Sequence, residues 1–130
     1  MIVEDHPAEI AQCAMALARQ SFRHSKIFRD GVKAEAHLAL VASGKAERPR
    51  AIVLDLDLPR GSGHEILRVC HVTPELADIP IIVWSKSEDP TVREVCKMMG
   101  AVDFIPKGFN NLDRLTMAVR KVLTRSEARL

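Results

Sequence analysis

Ala51-Ile52-Val53-Leu54-Asp55-Leu56-Asp57-Leu58-Pro59 decides the fold. Its four leading apolar residues, two of them β-branched, read as a strand buried on both faces, and Pro59, Gly61 and Gly63 supply turn punctuation behind it. The strand ends on a carboxylate, Asp55. In an open parallel sheet, ligands bind outside the carboxyl ends of the strands, near a change in strand order. A lone acid after a strand reads equally well as a loop or helix-capping residue, so the meaning of Asp55 depends on what the other strand ends carry.

Downstream, Asp78-Ile79-Pro80 delivers the chain into Ile81 to Trp84, a second doubly buried strand, which ends on the hydroxyl of Ser85. Val102 to Ile105 reads as a further strand with Lys107 just beyond it. Upstream, Lys26 to Phe28 is a short strand closed by Asp30-Gly31, and Met1 to Val3 is a stub that stops at Glu4-Asp5. A central strand usually runs about five or six residues, so either the first strand is stubby or the domain is short at its N-terminus. Helical stripes separate the strands. They are Ile10, Cys13, Ala14, Leu17 and Ala18 behind Pro7; Ala34, Leu38 and Val41; Ile66, Val69 and Cys70; Val92, Val95, Cys96 and Met99 between Pro90 and Gly100; and Leu112, Leu115, Val119, Val122 and Leu123. Strands alternating with helices favour a parallel sheet covered on both faces.

With 130 residues, 47% hydrophobic and 28% charged, the chain reads as one α/β domain over residues 1–130. Its formal net charge of +2 is small and the charges are interspersed, so nothing directs it to a nucleic acid or another polyanion. The basic residues Arg114, Arg120, Lys121, Arg125 and Arg129 fall at helical spacing and read as a solvated helix face. No apolar run is long enough to span a bilayer and the N-terminus lacks a signal-peptide layout, so a cytoplasmic protein is expected. Cys13, Cys70 and Cys96 are odd in number and lie in apolar helical patterns, which predicts buried thiols in place of disulfides or a metal site.

The strand ends converge. If the strands run parallel, Glu4, Asp5, Asp55, Ser85 and Lys107 project from one rim. Crowded carboxylates repel one another unless a cation lies among them, and an oxygen set open to water suits Mg2+. Such an ion also neutralises charge on an incoming phosphoryl group, while lysine and serine offer a point charge and a donor to its oxygens. The constellation reads as an aspartate that accepts phosphate.

With these residues in place, the sequence resembles the receiver domains of two-component response regulators over essentially its whole length. Glu4-Asp5 matches the family's acidic pair, Asp55 its phosphoacceptor, Ser85 its Thr/Ser switch position, Lys107 its lysine and Phe104 its aromatic switch position. Pro74 to Val83 and the Ser87-Glu88-Asp89-Pro90 segment look most like the single-domain regulators that partner bacterial phytochrome kinases. The resemblance implies a flavodoxin-like, doubly wound sheet of order 2-1-3-4-5. It implies a sensor histidine kinase or histidine phosphotransfer protein as donor, and Mg2+ held by Asp5, Asp55, the Asp57 backbone carbonyl and Glu4, the last directly or through water. Ser85 and Lys107 would be drawn to the phosphate, Phe104 would turn inward, output would pass to a protein partner, and a homodimer could form through the fourth helix, fifth strand and last helix.

Two site residues depart from the family pattern. Pro106 precedes Lys107 and Gly108 follows it, where proline usually follows the lysine, and position 86, commonly small, is Lys86, which is expected either to crowd the phosphoryl entry or to pair with Asp57, the pair then tuning phosphate lifetime. Two rival functions fit parts of the same pattern. Asp55-Leu56-Asp57 also fits the Asp-x-Asp nucleophile and general acid of haloacid-dehalogenase-like phosphatases, but there the remaining metal acids follow the lysine, whereas here the acidic pair is at Glu4-Asp5 and Asp113, within a helix, is the only aspartate after Lys107. A degenerate receiver serving only as an interaction module draws support from Lys86 and the altered lysine loop alone.

Overall fold

The computed structural model describes residues 1–19, 26–108 and 111–128, the last four of these as backbone only. Five strands alternate with five helices: β1 (Ile2–Val3), α1 (Pro7–Ala18), β2 (Ile27–Phe28), α2 (Gly31–Ala42), β3 (Ile52–Leu54), α3 (Gly63–Val72), β4 (Ile81–Ser85), α4 (Pro90–Met98), β5 (Asp103–Pro106) and α5 (Leu112–Ala128). All pairings are parallel and the sheet order is β2-β1-β3-β4-β5. This is the flavodoxin-like architecture that the alternation and the resemblance anticipate. The stubby β1 nonetheless occupies the interior of the sheet, and backbone bonds beyond its two residues, from Glu4 N–H to Phe28 O and from Val53 N–H to Met1 O, extend its pairing.

Because successive strand side chains alternate between faces, the sheet divides one continuous apolar set into two cores. Val3, Ile52, Leu54, Ile81, Val83 and Phe104 face α2, α3 and α4, where Leu38, Ile66, Leu67 and Cys96 meet them. Ile2, Val53, Ile82, Trp84 and Ile105 face α1 and α5, against Cys13, Leu17, Leu115 and Val119. Covering both faces explains why β3 and β4 read as unbroken apolar runs. Pro106, which has no N–H to give, is accommodated because β5 is an edge strand.

Several expected details shift. In α1 the buried face contains Ala16, and Ala18 is exposed, because contact with α5 rotates the packed stripe toward Cys13, Ala16 and Leu17. In α4 only Cys96 is buried, and Val95 is 40% exposed: nine residues touch the sheet along one narrow line. β5 begins one residue later than expected, leaving Val102 exposed. Gly100 ends α4 with φ 93, a left-handed conformation that favours glycine. Arg114, Arg120 and Lys121 are exposed along α5, as a solvated face requires; the Arg125 side chain and Arg129 lie outside the described residues. All three cysteines are free and buried, and burial pushes the Cys13 thiol up to about 12 and that of Cys70 up to about 11. Among the described residues no helix is long and apolar enough to cross a membrane.

Candidate phosphoacceptor site

Parallel register sends every strand's C-terminal end to one edge, and there the sequence-predicted residues meet. Glu4 and Asp5 follow β1, Asp55 follows β3, Ser85 closes β4 and Lys107 follows β5. β1 and β3 are adjacent, with their connecting helices on opposite faces, so the acids flank the crevice expected at a switch in strand order. A cleft of about 480 Å³ opens above them, lined by Asp5, His6, Asp55, Leu56, Asp57, Leu58, Pro59, Lys86 and Lys107.

Asp55 is buried at the floor of this cleft and 4% exposed. Its Oδ1 accepts the Asp57 N–H at 3.2 Å, a local turn that fixes the carboxylate relative to its own loop. That loop then passes so close to the start of α3 that a Cβ on Gly63 would overlap the Asp55 carbonyl oxygen and the Leu56 Cα. Ser62 caps α3 by accepting the Glu65 N–H, which pins the far end of the turn.

The electrostatics follow from crowding. One ligand oxygen each from Glu4, Asp5 and Asp55 lies within 4.8 Å of the others. Lys107 Nζ donates to Glu4 Oε2 at 2.7 Å and lies 3.5 Å from Asp55 Oδ2, with both side chains almost wholly buried. Glu4 Oε1 accepts the His6 N–H at 3.3 Å. Burial first, and the neighbouring Glu4 charge second, push the Asp55 carboxyl up from 3.8 to about 6, against the pull of Lys107. Three acids facing one ammonium form a hard oxygen set with spare lone pairs, which fits a small divalent cation.

Ser85 stands slightly apart. It is fully buried, its Oγ accepts the Ser87 N–H at 3.2 Å, and it does not line the cleft. Its carbonyl oxygen accepts the Lys107 N–H at 2.6 Å, which ties the lysine loop to β4 despite the Pro106-Lys107-Gly108 wording. Phe104 is 2% exposed and packed inward among the core residues of the α2, α3 and α4 face. Lys86 and Asp57 share the cleft wall, but no ion pair joins them among the described residues, since both side chains reach solvent without being forced together. Sequence reasoning missed three contributors: His6 through its N–H, Gly63 through its close approach, and Trp84, whose ring lies beneath Lys107 Nζ. In the sequence Gly63 shows only as turn punctuation and Trp84 only as the sole tryptophan, directly before Ser85.

A parallel 2-1-3-4-5 sheet with an acidic pair, a buried aspartate and a lysine at its C-terminal edge is the architecture of a phosphoacceptor domain. The chain belongs to the response regulator receiver domain family, whose model matches residues 1–120. It is 30% identical over 124 residues to the probable methanogenesis regulatory protein FilR2 of Methanothrix harundinacea, covering 93% of this chain and 80% of that protein. It is 34% identical over 117 residues to response regulator MprA of Mycobacterium ulcerans, covering 84% of this chain but only 47% of MprA. Among solved structures it is similar to the phosphorylated cyanobacterial phytochrome response regulator RcpA, with a TM-score of 0.78, 32% identity and coverage of 93% and 87% of the two chains. The Mn2+-bound form of response regulator Rcp1 matches with a TM-score of 0.77, 28% identity and coverage of 93% and 88%.

Proposed function

We propose that this receiver accepts a phosphoryl group on Asp55 from the phosphohistidine of a sensor histidine kinase or a histidine phosphotransfer protein, and that the charge so acquired switches its interaction surface. The observation that carries this reading is the placement of Asp55: a buried carboxylate on the floor of an open cleft, beside one ammonium and two further acids. An Asp55 carboxylate oxygen attacks phosphorus, the P–O bond forms as the P–N bond to the donor imidazole breaks, and the ring, which carries a proton on its other nitrogen, takes the electron pair and leaves as neutral imidazole. A carboxyl that holds its proton up to about 6 is ionised at neutral pH yet more basic than an ordinary aspartate, which suits it to attack. Lys107, already 3.5 Å from Asp55, neutralises charge on the transferred group. The Ser85 hydroxyl exchanges its bond with the Ser87 N–H for one to a phosphoryl oxygen, and Phe104 retains its inward packing in that state.

Asp5, Asp55, the Asp57 backbone carbonyl and Glu4 would hold Mg2+, which supplies charge neutralisation and orientation for the transferred oxygens. Glu4, with both oxygens engaged, acts through water. The Mn2+-bound and phosphorylated forms of the two structural relatives support this assignment. The likeness to the cyanobacterial phytochrome regulator RcpA favours a bacterial phytochrome as the kinase. The domain catalyses its own uptake and loss of phosphate; Lys86 and Asp57, on the cleft wall, tune the rate of loss. Exposed Val95, Met98 and Val102, with Lys97, Asp103 and Arg114 around them, support a homodimer through α4, β5 and α5.

Phosphate uptake from acetyl phosphate with Mg2+ tests the reading. Wild type should label and Asp55→Asn should not; equal labelling of the two overturns the assignment. Steady multiple-turnover hydrolysis of phosphate monoesters would instead restore the phosphatase reading.

A further inference from the structure

Lys107 is held at both ends. Its N–H donates to the Ser85 carbonyl at 2.6 Å, and its ammonium lies between Glu4 Oε2 at 2.7 Å and Asp55 Oδ2 at 3.5 Å. The nearer acid, Glu4, would by itself draw the ammonium away from the phosphoacceptor. Beneath the ammonium lies a third element, the ring of Trp84, with Nζ 5.2 Å from the ring centroid. A cation within about 6 Å of an indole face is attracted by its quadrupole, more strongly than by phenylalanine and more strongly still when both groups are out of water. Here Trp84 is 2% exposed and the Lys107 side chain 6%.

A second observation concerns the same side chain. The indole N–H of Trp84 is buried and finds no acceptor among the described residues. Packing alone does not explain a buried donor left without a partner, because phenylalanine, leucine or methionine fills a core position between β4 and α5 without that desolvation cost. What the indole adds is its ring face.

We infer that Trp84 is a positioning residue for phosphoryl transfer: its ring face holds the Lys107 ammonium in reach of Asp55, against the competing pull of Glu4. This rests on the role assigned to Lys107 above. Because the ring touches the lysine and none of the three acids is assigned to it as a partner, its removal should act on phosphoryl uptake and spare metal binding.

The test uses the full chain, with acetyl phosphate as donor at saturating Mg2+ and, separately, Mg2+ alone titrated by calorimetry. Trp84→Met and Trp84→Leu, which remove the ring, should slow uptake about fivefold. Trp84→Phe, which keeps a ring and discards the orphan N–H, should lose less than about twofold. Mg2+ affinity should be unchanged in all three, and Trp84→Met should have no added effect in a Lys107→Met background. Wild-type uptake in the ringless variants overturns the inference, as does an equal fall with phenylalanine and methionine, or a fall in Mg2+ affinity in step with uptake. If Trp84→Leu does not fold, the phenylalanine and methionine pair decides. Undiminished uptake by Lys107→Met would instead overturn the role of the lysine itself, and the inference with it.

Discussion

Asp55→Asn should make the metal-free protein more stable at neutral pH, although it removes the residue on which the proposed function turns. Asparagine keeps the shape of the side chain and an oxygen able to accept the Asp57 N–H. Lys107 keeps its closer partner, Glu4, at 2.7 Å. What disappears is a charge that the fold holds at a cost, since burial and Glu4 push the Asp55 carboxyl from 3.8 to about 6. At about 1.4 kcal/mol per pH unit, ionised Asp55 destabilises the folded chain by about 3 kcal/mol. The sign fixes the pH window. Below 3.8 folded and unfolded chains both keep the proton and the cost vanishes; between 3.8 and 6 the unfolded chain releases its proton first, so stability falls as pH rises; above 6 the cost is constant. Urea denaturation in the presence of a chelator should therefore show Asp55→Asn ahead of wild type by about 2 to 3 kcal/mol at pH 7.5, with the gap closing toward pH 4. Millimolar Mg2+ should narrow the gap by stabilising wild type through binding to its folded state. A variant no more stable than wild type at pH 7.5, or a gap of the same size at pH 4.5, would refute the electrostatic account.

Three further outcomes follow from the same geometry. Lys107→Met leaves Glu4 and Asp55 buried together without their cation, and should cost about 3 kcal/mol at pH 7.5 in chelator, measured by urea midpoint, and less near pH 4.5 where Asp55 holds its proton. Gly63→Ala should cost about 1 to 3 kcal/mol and slow phosphoryl uptake together, because its methyl group meets the backbone of Asp55 and Leu56, which must shift; thermal melts and acetyl phosphate labelling read the two effects. Trp84 is the only tryptophan in the chain and lies under Lys107, so its emission should change saturably on titration with Mg2+ in wild type and should not respond in an Asp5→Asn, Asp55→Asn variant.

By itself, the sequence determined the class of fold and the composition of the site. Unbroken apolar runs at Ile52 to Leu54 and Ile81 to Trp84 require strands covered on both faces, and the helical stripes between them require crossovers. Once the strands are parallel, any chemistry placed directly after them is forced to one edge, which is why Glu4, Asp5, Asp55, Ser85 and Lys107 could be picked out without coordinates. Periodicity was less informative about helix faces. It marks a stripe but not the line along which a neighbour touches it, and so Val95 and Ala18 turned out exposed and Ala16 buried.

Tertiary structure alone decided how the site residues are paired and how strongly each is desolvated. Glu4 and Lys107 are 103 positions apart, and their 2.7 Å contact depends on the lateral spacing of β1, β3, β4 and β5, which no local pattern encodes. The same spacing buries Asp55 beside Glu4 and raises its pKa, and slides the ring of Trp84 beneath the lysine. Identity and order along the chain fix which groups reach the edge; distance and exclusion of water fix what those groups do there, and both are properties of packed elements and not of the string.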